Sequence, residues 1–157
     1  MAVITHARAK SRLAKMIDSP GGLSVGMALA RANANIESKR DEAMAVIEVQ
    51  IAALEAVLPP TNLEEQIGRL NEAYRAANAV IDAASPFELP DLCNAACGLC
   101  DLIDGATADQ TFDWRIVTVH ARSLRLLQTL PVGETAARTM VLDSLKMVVD
   151  RKLPPKA

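Results

Sequence analysis

Three cysteines lie within eight residues of this chain, in the stretch CNAACGLC at residues 93–100. Their spacing, C-x3-C-x2-C, is one that can hold an iron–sulfur cluster when the fold presents it in a loop. If Pro90 opens a helix, however, steps of four and three residues place Cys93, Cys97 and Cys100 along one side of it, at the border of its apolar face. Free cysteine in that position behaves as a small hydrophobic residue. We therefore expect buried structural thiols, and keep a metal or iron–sulfur protein as a third functional hypothesis.

The cysteine spacing resembles the cluster motif of radical S-adenosylmethionine enzymes, a resemblance that would imply an iron–sulfur cofactor. The chain departs from that family at two points: Leu99 stands where an aromatic residue usually precedes the third cysteine, and no strand pattern comes before Cys93. A zinc site completed by His6 or His120 is the other metal alternative. Thiolates spread over two helical turns span about 10 Å of backbone, which disfavours convergence on one small ion. We expect no cofactor.

His120 lies in the segment WRIVTVHARSLRLL, on a predicted bundle helix. The segment is similar to the phosphoacceptor helix of histidine phosphotransfer domains, whose histidine is followed by x-x-Lys-Gly. Here Ser123 and Leu124 occupy those two places. On a helical wheel His120 lies between Ile116 and Leu124, in the middle of the apolar face. We predict a core or interface histidine whose ring nitrogens are bonded internally; a divergent phosphotransfer protein using His120 is the alternative function.

Charge is unevenly distributed along the chain, although the formal net charge is only −2. Residues 1–17 contain four lysines and arginines and no acid, residues 82–113 contain seven acids and no lysine or arginine, and residues 114–157 are again basic. Such segregation indicates complementary helix surfaces or a protein partner. We predict no nucleic-acid binding, because basic and aromatic residues do not interleave and no reader motif is present. The candidate partner-binding residues are Arg8, Lys10, Arg12, Lys15, Arg115, Arg122 and Arg125.

The composition favours helices as the elements that position these side chains. Half of the 157 residues are apolar but only four are aromatic, whereas strands draw on aromatic and β-branched residues. Proline and glycine breakers divide the chain into predicted helices over residues 3–17, 24–58, 62–84, 89–104, 112–130 and 133–152. We predict an all-α fold, an antiparallel helical bundle of about six helices in one domain spanning residues 1–157. Residues 1–22 would form a basic N-terminal helix and turn, and residues 153–157 a flexible tail.

The two longest predicted helices form a central antiparallel hairpin through Pro59 and Pro60, with Thr61 or Asn62 as the N-cap of the second helix. The apolar stripe of the first helix contains Leu29, Ile36, Ala43, Ile47, Leu54 and Val57. That of the second contains Leu63, Ile67, Leu70, Tyr74, Ala77, Ile81 and Ala84. A straight helix over residues 24–58 would be about 50 Å long, longer than the diameter of roughly 40 Å of a compact domain of this size. The helix must bend or be covered by a second subunit, and we expect a homodimer.

Three clustered thiols in a chain with an odd cysteine count fit a reducing compartment. The N-terminal sequence lacks the apolar core of a signal peptide, and no continuous apolar stretch is long enough to span a bilayer. We therefore expect a soluble cytoplasmic protein without membrane insertion.

Within the first 55 residues, the segments SRLAKMIDSPGG and ALARANANIESKRDE resemble the start of small helical accessory proteins of alphaproteobacterial chemotaxis operons, the CheE group. The resemblance implies a bacterial signalling context and assigns no functional residue. The chain shows an overlong amphipathic helix, segregated charge and no convergent polar site. These features predict a non-enzymatic protein that acts through protein–protein interaction, such as an adaptor.

Overall fold

The computed structural model describes residues 24–107 and 110–153. These residues form six α-helices and one 3-10 turn, and they contain no β-strand. The helices are α1 (Val25–Glu37), α2 (Arg40–Ala56), α3 (Leu63–Ala84), α4 (Pro90–Asp104), α5 (Arg115–Thr129) and α6 (Thr135–Lys152), and the 3-10 turn Ser85–Phe87 lies between α3 and α4. The prediction of an all-α helical bundle is confirmed. The predicted basic helix over residues 3–17 lies outside the described residues.

The prediction of one helix over residues 24–58 is wrong, because a turn at Ser38 and Lys39 separates α1 from α2. No proline or glycine marks this break. The signal lies instead in Asp41 and Glu42, which occupy the first turn of α2. Carboxylates are favoured near the positive end of a helix dipole, so this pair favours a new helix start.

The contacts of the chain divide it into two compact units, residues 1–37 and residues 38–157. α1 belongs to the first unit and has no buried residue. α2 belongs to the second unit and buries Ile47, Ile51 and Leu54. The apolar stripe predicted for one helix is therefore divided between two separate helices.

In the second unit α4 is the central helix, packed against α3, α5 and α6, while α2 packs against α3 and α5. The predicted hairpin is present as α2 and α3, which pack against each other and are joined by residues 57–62. Asn62 is the N-cap of α3, and its side-chain oxygen accepts a hydrogen bond from the backbone N–H of Glu65 at 2.9 Å. The α4 core residues are Leu92, Ala95, Ala96, Leu99, Cys100, Leu102 and Ile103.

Leu70, Ala77 and Ala84 of the predicted stripe of α3 are buried, but the buried face as a whole is rotated from the one predicted. Leu63 and Ile67, which open the predicted stripe, are 48% and 43% exposed. The buried residues are Gln66, Leu70, Ala73, Ala76, Ala77, Val80 and Ala84. The buried face begins with a glutamine and is rich in alanine. A stripe assigned from the largest apolar side chains is therefore displaced by part of a helical turn.

The C-terminal end of the described chain packs on the bundle. Leu153 follows the last residue of α6 and contacts the core. A side chain at Gly105 would bring its Cβ to 2.6 Å from Leu153 Cδ2, so the glycine makes room for this contact. Of the predicted tail, residues 154–157 lie outside the described residues.

Candidate functional site

The three cysteines of α4 lie in three different environments. Cys93 is half-buried, Cys97 is exposed and Cys100 is buried. Burial raises the pKa of the Cys93 thiol, and burial, together with the nearby Cys97, raises that of Cys100 to about 11. A thiol that stays protonated at neutral pH is a poor nucleophile and a poor metal ligand. The geometry supports a structural role for Cys93 and Cys100, whereas the exposure of Cys97 departs from the expectation that all three are buried.

The proposed zinc and cluster sites find no support in the arrangement of side chains. Among residues 24–107 and 110–153, no group of three or more His, Cys, Asp or Glu residues is placed to hold a metal ion. α4 remains helical through all three cysteines, which spreads them over about 10 Å of backbone. Of the two candidate histidine ligands, His6 lies outside the described residues and His120 is buried in the bundle.

His120 is a fully buried residue of α5, as its position on the apolar face predicted. Nδ1 lies 2.8 Å from the carbonyl oxygen of Ile116, so the ring donates this hydrogen bond from Nδ1–H. Nε2 has no hydrogen-bond partner, although the prediction was that both nitrogens would be bonded. It faces Gly98 of α4, where a Cβ would lie 3.7 Å away. The tighter neighbour of that Cβ would be Val149 Cγ2 of α6, at 3.3 Å, so the absence of a side chain at Gly98 lets α6 approach α4 closely.

The surroundings of His120 keep the imidazole neutral. Burial lowers its pKa, and the hydrogen bond to Ile116 opposes this only in part. A phosphoacceptor histidine must be reached by the carboxyl phosphate of its donor, and His120 has an exposed fraction of 0%. This geometry does not favour phosphoryl transfer at His120.

α1 is an amphipathic helix with an exposed apolar stripe. Val25, Leu29, Ala32 and Ile36 recur at steps of four, three and four residues, the spacing of helices that pair with another helix. Val25 is 74% exposed, Leu29 59% and Ile36 42%. An isolated helix of only 13 residues is marginally stable in water, and most helical stability comes from packing of such a stripe. α1 therefore has the composition of a helix that is completed by a partner.

The candidate partner-binding arginines of α5 differ in their surroundings. Arg125 is 27% exposed and donates to Glu55 on α2 at 2.8 Å, so it ties α5 to α2 within the bundle. Its guanidinium holds the pKa of Glu55 below the usual value. Arg115 has a side chain that is 88% exposed, and Arg122 is exposed as well. The other candidates, Arg8, Lys10, Arg12 and Lys15, lie outside the described residues.

A hollow of about 210 Å³ lies between the start of α5 and the end of α6. Its apolar floor contains Ile116, Val119 and Val148. The remaining lining residues are charged: Asp113, Arg115, Arg151 and Lys152. This hollow and the exposed stripe of α1 are two surfaces in the described residues that expose apolar side chains to a partner.

Two buried polar residues were missed by the sequence analysis. Arg138, 7% exposed, donates to the carbonyl oxygens of Leu127 and Leu130, each at 2.8 Å, and to Asp91. Gln66, 1% exposed, accepts from the backbone N–H of Phe112 and donates to backbone carbonyls of the α4–α5 loop. The only signal for each was a polar residue at an apolar heptad position.

Comparison of the chain with protein-family models, with curated proteins and with solved structures finds no match. None of the helices in residues 24–107 and 110–153 combines the length and the apolar character needed to cross a membrane.

Proposed function

We propose that this chain is a non-enzymatic helical protein that acts by binding other proteins, and that α1 pairs with its copy in a homodimer. The observation that carries the proposal is the exposed stripe of α1. A helix of 13 residues with no buried residue gains little stability alone. Pairing with another helix would remove the exposed side chains of Val25, Leu29 and Ile36 from water.

A second copy of α1 is the favoured occupant because the stripe is self-complementary. Its four residues alternate in the a and d spacing of a helix pair, so the same face on two copies can interdigitate around a two-fold axis. Homodimers with such isologous contacts are the commonest assemblies of soluble proteins. The expectation of a dimer was based on the length of a single helix over residues 24–58, and that helix is broken. The exposed apolar residues of α1 support the dimer instead.

A signalling role, in the context implied by the resemblance to the CheE group, and a cytoplasmic location belong to the same proposal. The phosphotransfer alternative gains no support from the burial of His120. The cluster alternative gains none from three cysteines spread along one continuous helix.

Light scattering on wild type and two variants tests the dimer. Ile36→Glu places a carboxylate in the stripe and is expected to give a mass equal to one chain at micromolar concentration. Met27→Glu is the matched control, because Met27 is 52% exposed on the other side of α1 and should leave the dimer intact. A wild-type protein that is monomeric throughout this range would contradict the proposal.

A further inference from the structure

Apolar side chains continue along α5 and α6 beyond the hollow, and the surface between these two helices is called the α5–α6 groove. Val119 and Leu126 are seven residues apart on one edge of α5 and are 43% and 45% exposed. Val141 and Val148, also seven residues apart, lie half-buried on α6. α5 and α6 are consecutive, packed helices joined by a short loop, so they run antiparallel. Val119 and Val148 line the hollow together. Leu126 and Val141 each lie one heptad further from it on the same edges of the antiparallel helices, which extends the apolar surface by about two helical turns.

The rim of this groove is cationic. Arg115 and Arg122 are exposed on α5 and alternate with Val119 and Leu126 at steps of four and three residues, so the four side chains share one face of the helix. Arg151 and Lys152 flank the hollow from the end of α6. A partner that approaches this face therefore meets basic groups along α5 and at the C-terminal end of α6.

The one acid that lines the hollow, Asp113, forms ion pairs with two neighbouring cations. It accepts hydrogen bonds from Arg115 at 2.8 Å and from Lys152 at 3.2 Å. These contacts, with Arg115 the stronger, hold the pKa of Asp113 well below its usual range. Asp113 stays ionised and offsets one of the three cations that line the hollow, Arg115, Arg151 and Lys152, so the lining keeps a net charge of +2.

We propose that the α5–α6 groove binds an acidic amphipathic helix of another protein. Apolar side chains of that helix, at i, i+3, i+4 and i+7, would fill the floor formed by Val119, Leu126, Val141 and Val148. Aspartate and glutamate residues on its flanks would meet Arg122 and Arg151. Charge complementarity of this kind fixes orientation and speeds association.

Other occupants fit the groove less well. The N-terminal segment of the chain is not complementary, since residues 1–17 carry four lysines and arginines and no acid. A second copy would have to insert a different surface, such as the start of α3, into the groove. That contact is heterologous and builds open assemblies unless it closes into a ring.

The inference rests on the proposed function only in taking this to be a protein-binding protein, and it does not require the α1 dimer. The test uses the full chain and three labelled helical peptides in fluorescence anisotropy. All three carry leucine at i, i+3, i+4 and i+7; the flanking residues are glutamate in the first peptide, lysine in the second and glutamine in the third. We expect the glutamate peptide to bind at least about tenfold more tightly than the lysine peptide, with an advantage that shrinks in high salt.

Variants assign the binding to the groove. Val119→Glu and Arg122→Glu change exposed side chains and are each expected to weaken binding of the glutamate peptide about tenfold. Arg75→Glu makes the same charge reversal on an exposed position of α3 and should leave the affinity within about twofold. Circular dichroism confirms that each variant retains its helices.

Several results would overturn the inference. The first is the absence of saturable binding of the glutamate peptide. The second is an equal affinity for the glutamate and lysine peptides. The third is a loss of affinity in Arg75→Glu equal to that in the groove variants. Tighter binding to a DNA duplex or to anionic phosphatidylserine vesicles would show a different class of ligand. Self-association abolished by Val119→Glu would place a second copy in the groove. Repeating the titration with Ile36→Glu separates the two proposals, because a monomeric variant that still binds the peptide supports the groove whatever the fate of the dimer.

Discussion

Arg138 is a buried arginine of α6 whose guanidinium binds groups on two other helices, and its replacement tests how the bundle is held together. The guanidinium reaches from α6 to the end of α5, where it binds the carbonyl oxygens of Leu127 and Leu130. Carbonyls in the last turn of a helix have no partner within the helix, and a cation there also opposes the negative end of the dipole. On its other side Arg138 binds Asp91 of α4. One buried side chain thus links three helices.

The size of the effect follows from what Arg138→Met leaves behind. Methionine fills much of the same space but leaves two carbonyls and the half-buried Asp91 carboxylate, 27% exposed, without their partner. Breaking a buried ion pair by removing one member typically lowers the free energy of unfolding by about 3–5 kcal/mol, and the partial exposure of Asp91 favours the lower end of this range. Since small domains are stable by only about 5–15 kcal/mol, this is a large fraction. For a domain of this size it corresponds to a fall in Tm on the order of 10 °C.

Urea and thermal unfolding, followed by circular dichroism, measure this change. Lys146→Met is the matched control on α6, because the Lys146–Asp150 pair is 70% and 59% exposed and exposed pairs contribute about 1 kcal/mol at most. Arg138→Met with Asp91→Asn completes a double-mutant cycle, in which a positive coupling energy is expected. If Arg138→Met unfolded within about 0.5 kcal/mol of wild type, the guanidinium would not be holding the three helices.

Three further predictions concern other buried groups. The lowered pKa of His120 means that only the unfolded chain takes up a proton as pH falls below 6.5. The free energy of unfolding should therefore fall on acidification, by at most about 1.4 kcal/mol per pH unit from this group. Urea unfolding at a series of pH values should show a less steep fall in His120→Leu. Gln66→Leu should lower the free energy of unfolding by about 1–3 kcal/mol, because the backbone groups of the α4–α5 loop lose their hydrogen-bond partner. Gln110→Leu replaces an exposed glutamine side chain and should change the free energy of unfolding little. Equal effects of the two substitutions would refute the role of Gln66. Maleimide labelling of native protein, read by mass spectrometry, should modify exposed Cys97 first and buried Cys100 last; equal rates would contradict their different burial.

The helical character of the chain was predictable because its cause is local. Apolar residues at steps of three and four, few aromatics and clear breakers all indicate helices, and five predicted segments in the described residues contain helices at nearly the predicted positions. The N-cap at Asn62 was equally local, since it depends on one side chain and the backbone three residues later. The burial of His120 followed from its neighbours on the wheel.

The remaining errors come from interactions that connect distant residues. The register of α3 depends on Gln66, whose partners lie more than 40 residues away in the α4–α5 loop. Arg138 has the same character, because Asp91 is 47 residues distant in the sequence. The break at Ser38 and Lys39 lacks the proline or glycine on which the helix boundaries were based. No local pattern distinguishes a buried polar residue with distant partners from one that faces solvent.

The cationic groove also shows where sequence reasoning stops. Arg115, Arg122 and Arg125 were predicted together as partner-binding residues. Packing separates them, since Arg125 binds α2 while the other two stay exposed at the groove. Distinguishing a structural arginine from a binding one required the position of Glu55 on a neighbouring helix.

Native-state hydrogen exchange of the α1 amides, measured by mass spectrometry at two protein concentrations, tests the central claim most directly. If α1 is completed by a second copy, its amides are protected at high concentration and lose protection on dilution, while those of the buried helix α4 do not change. Exchange in α1 as fast as in an unfolded chain at every concentration would contradict the account. So would protection that is independent of concentration, because the stripe would then be covered within the same chain.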